Sequence, residues 1–247
     1  MLPSRKRLAA MALAAAACTL VPAAAWAGVV VSASGPSAGS FPVGKSIGNG
    51  ERIVLRAGDT LTVLDGNGTR VLRGAGTYTL SQQAGRSQPG AFADLTQRRT
   101  GSQARTGAVR CPDGDASCFP ARPASLWYVD VSHPGTVCVV GTDRVRLWRP
   151  EKEGEATYAL HATTGGASHE VTFGDGDTLA PWDAVALPIA DGASFALSGP
   201  HDGTLKFAVL GAAAEEPEAL AQQLIEKGCT QQLEVLSAVT MVEEGQQ

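Results

Sequence analysis

Through most of the chain apolar and polar residues alternate at period two, in short runs interrupted by Gly, Asp, Asn and Pro. Alternation of that period sets one face of a strand against a core and the other in water. Ile53-Val54-Leu55, Leu61-Thr62-Val63-Leu64 and Arg70-Val71-Leu72 follow the rule, bounded by the turns Ala57-Gly58-Asp59, Asp65-Gly66-Asn67-Gly68 and Gly74-Ala75-Gly76. Asp-Gly and Asn-Gly favour tight reversals, so the pattern predicts a hairpin between strands at 60–65 and 69–73. Residues 28–34 predict a first strand, joined to this group by a Gly/Pro/Ser-rich connection over 35–50. A second series starts near Ala124, with strands predicted at 126–131, 136–140, 144–148, 156–162, 168–173, 184–188, 193–197 and 204–210. Short strands at this spacing, with turn residues between them, predict a β-sandwich or barrel-like domain.

The period changes near the C-terminus. From Glu215 the spacing is helical: Pro217 suits a first turn, Leu220, Leu224 and Ile225 share a face, and Gly228 is a natural stop. Residues 231–242 predict a second helix with Leu233, Leu236 and Val239 inward. The expected fold is therefore mostly β: a small N-terminal β module over 28–80, then a β-sandwich-like domain over 124–247 capped by C-terminal helices from about 215. Between them, residues 81–123 are rich in Gln, Arg, Gly, Ser and Pro and read as a linker, with two or three helical turns at 91–99 presenting Phe92 and Leu95 on one face.

Charge and the N-terminus add an address. Arg5-Lys6-Arg7, an apolar stretch over 8–21 and Ala25-Trp26-Ala27 have the three parts of an export signal, so the mature chain is expected to begin at Gly28. Cys18 lies in a poor context for lipidation, behind Ala15-Ala16-Ala17. No other run approaches the ~20 apolar residues that cross a bilayer, which makes the periplasm the expected compartment. Without residues 1–27 the chain has 17 basic and 24 acidic residues, net −7. Residues 28–123 hold 11 basic and 6 acidic residues, whereas 124–247 hold 6 and 18. A basic half beside an acidic half implies surfaces that attract each other or face different partners. Arg98, Arg99 and Arg105 form the centre of the basic stretch and are the candidate docking residues. The basic residues lack interleaved aromatics, and with export this argues against a nucleic-acid partner.

Ala57-Gly58-Asp59-Thr60-Leu61, residues 65–70, and Val71-Leu72-Arg73-Gly74-Ala75-Gly76-Thr77 together resemble the repeated GD-x-L … L-x-G-x-G-T pattern of FecR-type periplasmic domains. The resemblance covers about residues 43–80, roughly 40 of 247. FecR proteins pass an outer-membrane signal to a sigma factor through a transmembrane helix and a cytoplasmic anti-sigma segment. This chain departs from that plan: it starts with an export signal and shows neither an anti-sigma segment nor a later membrane helix. The resemblance implies a β module of that type without the signalling pathway.

Cysteine usage fits an oxidising compartment. Cys111, Cys118, Cys138 and Cys229 follow the export signal, an even number that permits three pairings. Cys111 and Cys118 enclose a turn-forming loop whose ends meet easily, which leaves Cys138 for Cys229. A zinc site is the rival, but the first pair is spaced too widely for a zinc knuckle and has no nearby histidine. Asp113 and Asp115, and the stretch Gly174-Asp175-Gly176-Asp177, alternate like fragments of calcium loops but lack the remaining ligands, so turns are expected. His161 and His169 fall on neighbouring predicted strands and approach each other if those strands pair, which would make a shared metal site or a hydrolase pocket, although half-exposed surface histidines are the expectation. Ser132-His133 and His201-Asp202 are adjacent pairs in turns, and adjacency does not make a triad. Trp127 and Trp148 sit in apolar strands and are expected in the core, whereas Trp182, after Pro181, is expected exposed and is the candidate sugar-stacking residue. No pattern demands a metal or a cofactor.

The functional expectation is an exported, non-catalytic cell-envelope protein that binds protein partners as a scaffolding or sensory component. A carbohydrate- or peptidoglycan-binding module and a periplasmic hydrolase built from scattered residues are the alternatives.

Overall fold

The alternating runs form strands that turn one face to a core and the other to water or to a second layer. The computed structural model describes residues 26–80, 90–97 and 122–241 and shows a mostly β protein with several sheets and two C-terminal helices. The first strands are β1 (Trp26–Ser34), β2 (Ser46–Gly48), β3 (Arg52–Leu55), β4 (Thr60–Asp65), β5 (Gly68–Arg73) and β6 (Gly76–Thr79). Four of them make an antiparallel sheet in the order β2-β1-β4-β5, while β3 pairs with β6 alone. The predicted hairpin is present, with Asp65 opposite Gly68. Its positive φ falls on Gly68, at 129°, and Asp65 Oδ1 accepts the Asn67 N–H at 2.7 Å to tie the reversal.

A short helix, α1 (Ala91–Thr96), follows with Leu95 buried. It is docked on the fold: Leu95 O accepts the Leu126 N–H, and Trp127 Nε1 donates to Thr96 O at 2.6 Å. The second series comprises β7 (Tyr128–Asp130), β8 (Thr136–Val140), β9 (Arg146–Trp148), β10 (Ala156–Ala162), β11 (Ser168–Phe173), β12 (Leu179–Pro181), β13 (Ser194–Ser198) and β14 (Gly203–Leu210). A five-stranded sheet, β11-β10-β13-β14-β8, and a three-stranded sheet, β12-β9-β7, contribute to one shared core that includes Val129, Leu147, Leu160, Phe195 and Phe207. Two-sheet packing of this kind is the sandwich the strand spacing predicted. β8 joins the larger sheet parallel to β14, against the antiparallel pairing of its other strands.

One predicted strand is absent. Residues 184–188 form a turn because the Asp183 carboxylate accepts the N–H groups of Val185 and Ala186, and Asp183 O accepts that of Leu187. A local side-chain acceptor competes with a ladder for the same donors. The strand lies earlier instead, as β12 beside β9.

The helices α2 (Pro217–Lys227) and α3 (Thr230–Val239) begin and end close to where capping signals placed them, with Gly228 at φ 75° between them. They cap the sandwich-like domain as predicted, and their other side carries the N-terminal sheet. Val29, Val31 and Leu64 meet Leu220, Leu224, Leu233 and Leu236, which in turn meet Cys138, Ala208 and Leu210 in one buried cluster. The residues between them on the same strands, Val30 and Val63 on one side and Val137, Val139 and Phe207 on the other, face separate outer cores. Strands with two apolar faces create two interfaces each, and the helical pair fills the space between.

Polar contacts pin this layer at both ends. Cys138 and Cys229, both fully buried, are joined by a disulfide across a sequence separation of 91. Beside it the buried Gln232 accepts the Cys138 N–H at 2.6 Å and donates to Cys138 O at 2.8 Å and Leu126 O at 2.7 Å. At the far end of α3, the Thr240 hydroxyl donates to Leu236 O, so it accepts from Thr69 at 2.9 Å, and Thr240 O accepts the Thr69 N–H.

Loss of the disulfide through Cys138→Ser with Cys229→Ser should lower stability by about 2–5 kcal/mol. Gln232→Leu strands two backbone carbonyls and one N–H in a buried site and should cost about 2–5 kcal/mol, since each unpaired buried group costs roughly 1–3. Urea midpoints with unchanged slope measure both effects; a Gln232→Leu protein as stable as the parent would contradict the pinning role.

Candidate functional site

The first turns of α2 pass alongside the start of β1, and a groove of about 320 Å³ opens between them. Gly28 and Val29 form one wall, and Glu218, Ala219, Gln222 and Glu226 of α2 form the other. Glu218, Gln222 and Glu226 share this side because residues four apart stack on one helical face. The glutamine is already engaged: Gln222 Nε2 donates to Gly44 O at 3.2 Å and to Ser46 Oγ at 3.3 Å, bracing α2 against the loop before β2. Glu218 differs. Its Oε2 is shielded from solvent and receives no hydrogen bond. A Cβ placed on Gly66 would lie 3.6 Å from Glu218 Oε1, so this carboxylate sits against the β4–β5 turn.

Below that turn Asp65 and Arg70 form a buried ion pair, with Arg70 Nη2 2.9 Å from Asp65 Oδ2 and both side chains 5 % exposed. The pairing is short, yet the geometry leaves Arg70 Nε and Nη2 without a well-directed hydrogen bond. Burial raises the Asp65 carboxyl above its ordinary value, against the lowering effects of the Asn67 N–H and of Arg70. Glu218 and Glu226 thus bring two carboxylates to a groove with apolar walls, an arrangement that suits a cationic group on an otherwise apolar body, while Asp65 outside it is engaged with Arg70.

The residues singled out from sequence are distributed differently. Arg98, Arg99, Arg105, Cys111, Cys118, Asp113 and Asp115 lie outside the described residues. Cys138 and Cys229 are joined, as the pairing argument required. Trp182 contradicts its expected exposure: it is 6 % exposed, donates from Nε1 to Leu187 O at 2.8 Å and meets Phe195 and Phe207 edge-on at 4.9 and 5.1 Å. The aspartate turn that removed the strand at 184–188 brings Leu187 O to the indole, so Trp182 has its polar partner inside and needs no water. Trp127 and Trp148 are also buried, as expected of core residues.

β10 and β11 do pair, but in the register Leu160 opposite His169 and His161 opposite Ser168. Directly opposed residues share a face and neighbours along a strand do not, so the two histidines lie on opposite faces of the sheet. Ser132, His133 and Asp130 do touch: Ser132 Oγ is 2.5 Å from Asp130 Oδ1 and 2.9 Å from His133 Nδ1, and that same nitrogen is 3.2 Å from Asp130 Oδ2. A triad places serine and aspartate on different imidazole nitrogens; here both crowd Nδ1, and Asp130 Oδ1 accepts the Ser132 N–H as well, which makes a side-chain-tied turn. Among the described residues no three His, Cys, Asp or Glu side chains gather as a metal cluster. Asp175 accepts the Gly154 N–H at 2.7 Å, and Asp177 N–H donates to Gly174 O, so the stretch at 174–177 forms the turn expected of it.

Arg149 went unnoticed in the sequence. It is 2 % exposed, lies over the Phe173 ring and donates to the carbonyls of Asp177, Gly154 and Gly174, binding two loops at one end of the sandwich. Position after Trp148 in a strand gave no sign that its donors would converge on three main-chain oxygens.

The chain matches no family model, and no curated protein is similar to it.

Two carboxylates are held below their ordinary range. Asp59 falls below its ordinary value of 3.8 through the Ser37 side-chain hydrogen bond first, then the Ser37 and Arg56 N–H groups, against an opposing effect of burial. Asp183 is lowered by the Ala186 and Val185 N–H groups. In both, the unfolded chain holds its proton to higher pH than the folded one, so their stabilisation is complete above 3.8 and lost as pH falls below it. Asp65 acts oppositely, since its raised value makes its ionisation oppose folding as pH rises. Asp59→Asn with Asp183→Asn should therefore lower stability at pH 7 and flatten the loss between pH about 4 and 2. Chemical unfolding across that range checks the slope.

Proposed function

We propose that this chain is an exported cell-envelope protein that acts by binding a partner protein, as a scaffolding or sensory component. The observation that carries the reading is the buried Cys138–Cys229 disulfide, which locks the helical layer to the sandwich. Structural disulfides of this kind belong to oxidising compartments, and the export signal over residues 1–27 leads there, with the periplasm as the destination. The FecR-like pattern over about 43–80 supports an envelope role for the N-terminal strands. The docking surface is electrostatic: Arg98, Arg99 and Arg105 supply the basic element and residues 124–247 the acidic one. Glycan stacking loses its candidate residue, because Trp182 is packed against Phe195 and Phe207.

Three measurements test this reading. Protein recovered from the periplasm should begin at Gly28 by intact mass, without an acyl group, and carry no free thiol at Cys138 or Cys229. A partner isolated by cross-linking in intact envelopes should bind the purified protein about tenfold or more weakly when salt rises from 0.05 to 0.5 M, because exposed charges are screened over about 10 Å at 0.1 M and 3 Å at 1 M. Charge reversal of Arg98, Arg99 and Arg105 together should release that partner and leave thermal stability unchanged. Binding that survives both changes would exclude electrostatic docking.

A further inference from the structure

Glu218 has an unexplained oxygen. Its Oε2 is shielded from solvent and accepts no hydrogen bond, although a buried carboxylate oxygen normally recruits a donor. Its place in the first turn of α2 is favourable for a negative charge, but that leaves Oε2 without a direct partner. The groove that Glu218 lines is also lined by Gly28. Gly28 is in close contact with the adjoining hairpin: a Cβ there would fall 2.8 Å from Val63 Cγ1, 2.9 Å from Leu64 O and 3.3 Å from Asp65 Cβ. Glu218 and Gly28 therefore share one groove, and Gly28 packs against Asp65 near the start of β1.

A second observation marks the same residue. The β1–β2 ladder is broken between Trp26 and Gly28 and regular beyond, and the pairing with β4 starts at Val29 opposite Leu64. The β1–β2 ladder thus resumes, after its break, at the residue that is expected to follow export-signal cleavage. We infer that Glu218 is the receptor for the α-ammonium group of Gly28, so that cleavage of the Ala27–Gly28 bond creates the missing donor. Water adds across that amide: Ala27 leaves as a carboxylate and Gly28 gains an amine, protonated near neutral pH. The new cation has three N–H donors, enough to stay on the ladder and still reach Glu218 Oε2. It also supplies positive charge beside Asp65, whose ionisation burial disfavours. The processed form of the chain is then held at β1 more firmly than the precursor. The inference rests on the export reading given above.

The test uses protein exported from cells carrying the full-length gene, parent and variants alike, with the N-terminus read by intact mass. The pKa of the Gly28 amine, followed by nitrogen NMR, should lie about one unit above the 7.7–8.0 of an ordinary α-amino group. Glu218→Gln should return it to that range, while Glu226→Gln, two turns further along the same groove, should leave it raised. Selective acetylation of the amine should lower the melting temperature of the parent by several degrees and have no effect in Glu218→Gln. A mature chain that begins at Gly28 with an ordinary amine pKa, or with a raised value that persists in Glu218→Gln, would overturn the inference and leave the export reading intact. A chain cleaved elsewhere would overturn the inference alone, and one that retains residues 1–27 would overturn both.

Discussion

The outer edge of β8 is the constraint around which the molecule is arranged. β8 pairs with β14 on one side only, and an open strand edge presents donors and acceptors that must be met by water or by another element. Here the side chain of Gln232 meets both groups of Cys138, and a disulfide joins the same residue to Cys229. α3 is held against that edge covalently and by hydrogen bonds. Since α2 runs directly into α3 through Gly228 and Cys229, the position of the whole helical pair follows from this attachment. A primary amide suits the task because it offers an acceptor and two donors, matching one N–H and two carbonyls.

Once the helices are fixed there, the N-terminal sheet has a surface to cover. β1 sends Val29 and Val31 to the helices and Val30 to its own core, and β8 divides Cys138 from Val137 and Val139 in the same way. The central cluster is therefore shared by the two strand groups and the helices. Thr69 and Thr240 close the layer at the opposite end, 171 residues apart in sequence. This arrangement explains why α1, read as part of a linker, is anchored: Leu95 enters the shared cluster, and Thr96 and Gln97 receive donors from Trp127 and Ser125.

Polar side chains elsewhere hold loops in place by taking main-chain partners. Asp59, Asp183 and Asp130 accept nearby N–H groups, and Arg149 gathers three carbonyls. These groups are occupied by structure. The carboxylate of Glu218, in the groove beside the start of β1, stands apart because one of its oxygens is shielded and unpaired.

What the sequence determined by itself was local. Period-two alternation located most strands, Asp65 to Gly68 located the hairpin, and Pro217 and Gly228 marked the ends of α2, because each depends on backbone preferences acting over a few residues. The Cys138–Cys229 pairing was also legible, through the small number of cysteines. The tertiary structure decided everything that depends on a partner far along the chain. A run of valines does not tell which face meets a helix, so the helices between two β layers could not be read from it. His161 and His169 were separated because the inward Tyr158 and Leu160 of β10 and Val171 and Phe173 of β11 place them on opposite faces, a local signal, whereas Trp182 was buried because Phe195, Phe207 and Leu187 O converge on it. Gln232 and Glu218 look like ordinary polar positions on amphipathic helices; only the strands brought against them make one a clamp and leave the other with an unpaired oxygen, since hydrogen bonding and burial are properties of what surrounds a side chain.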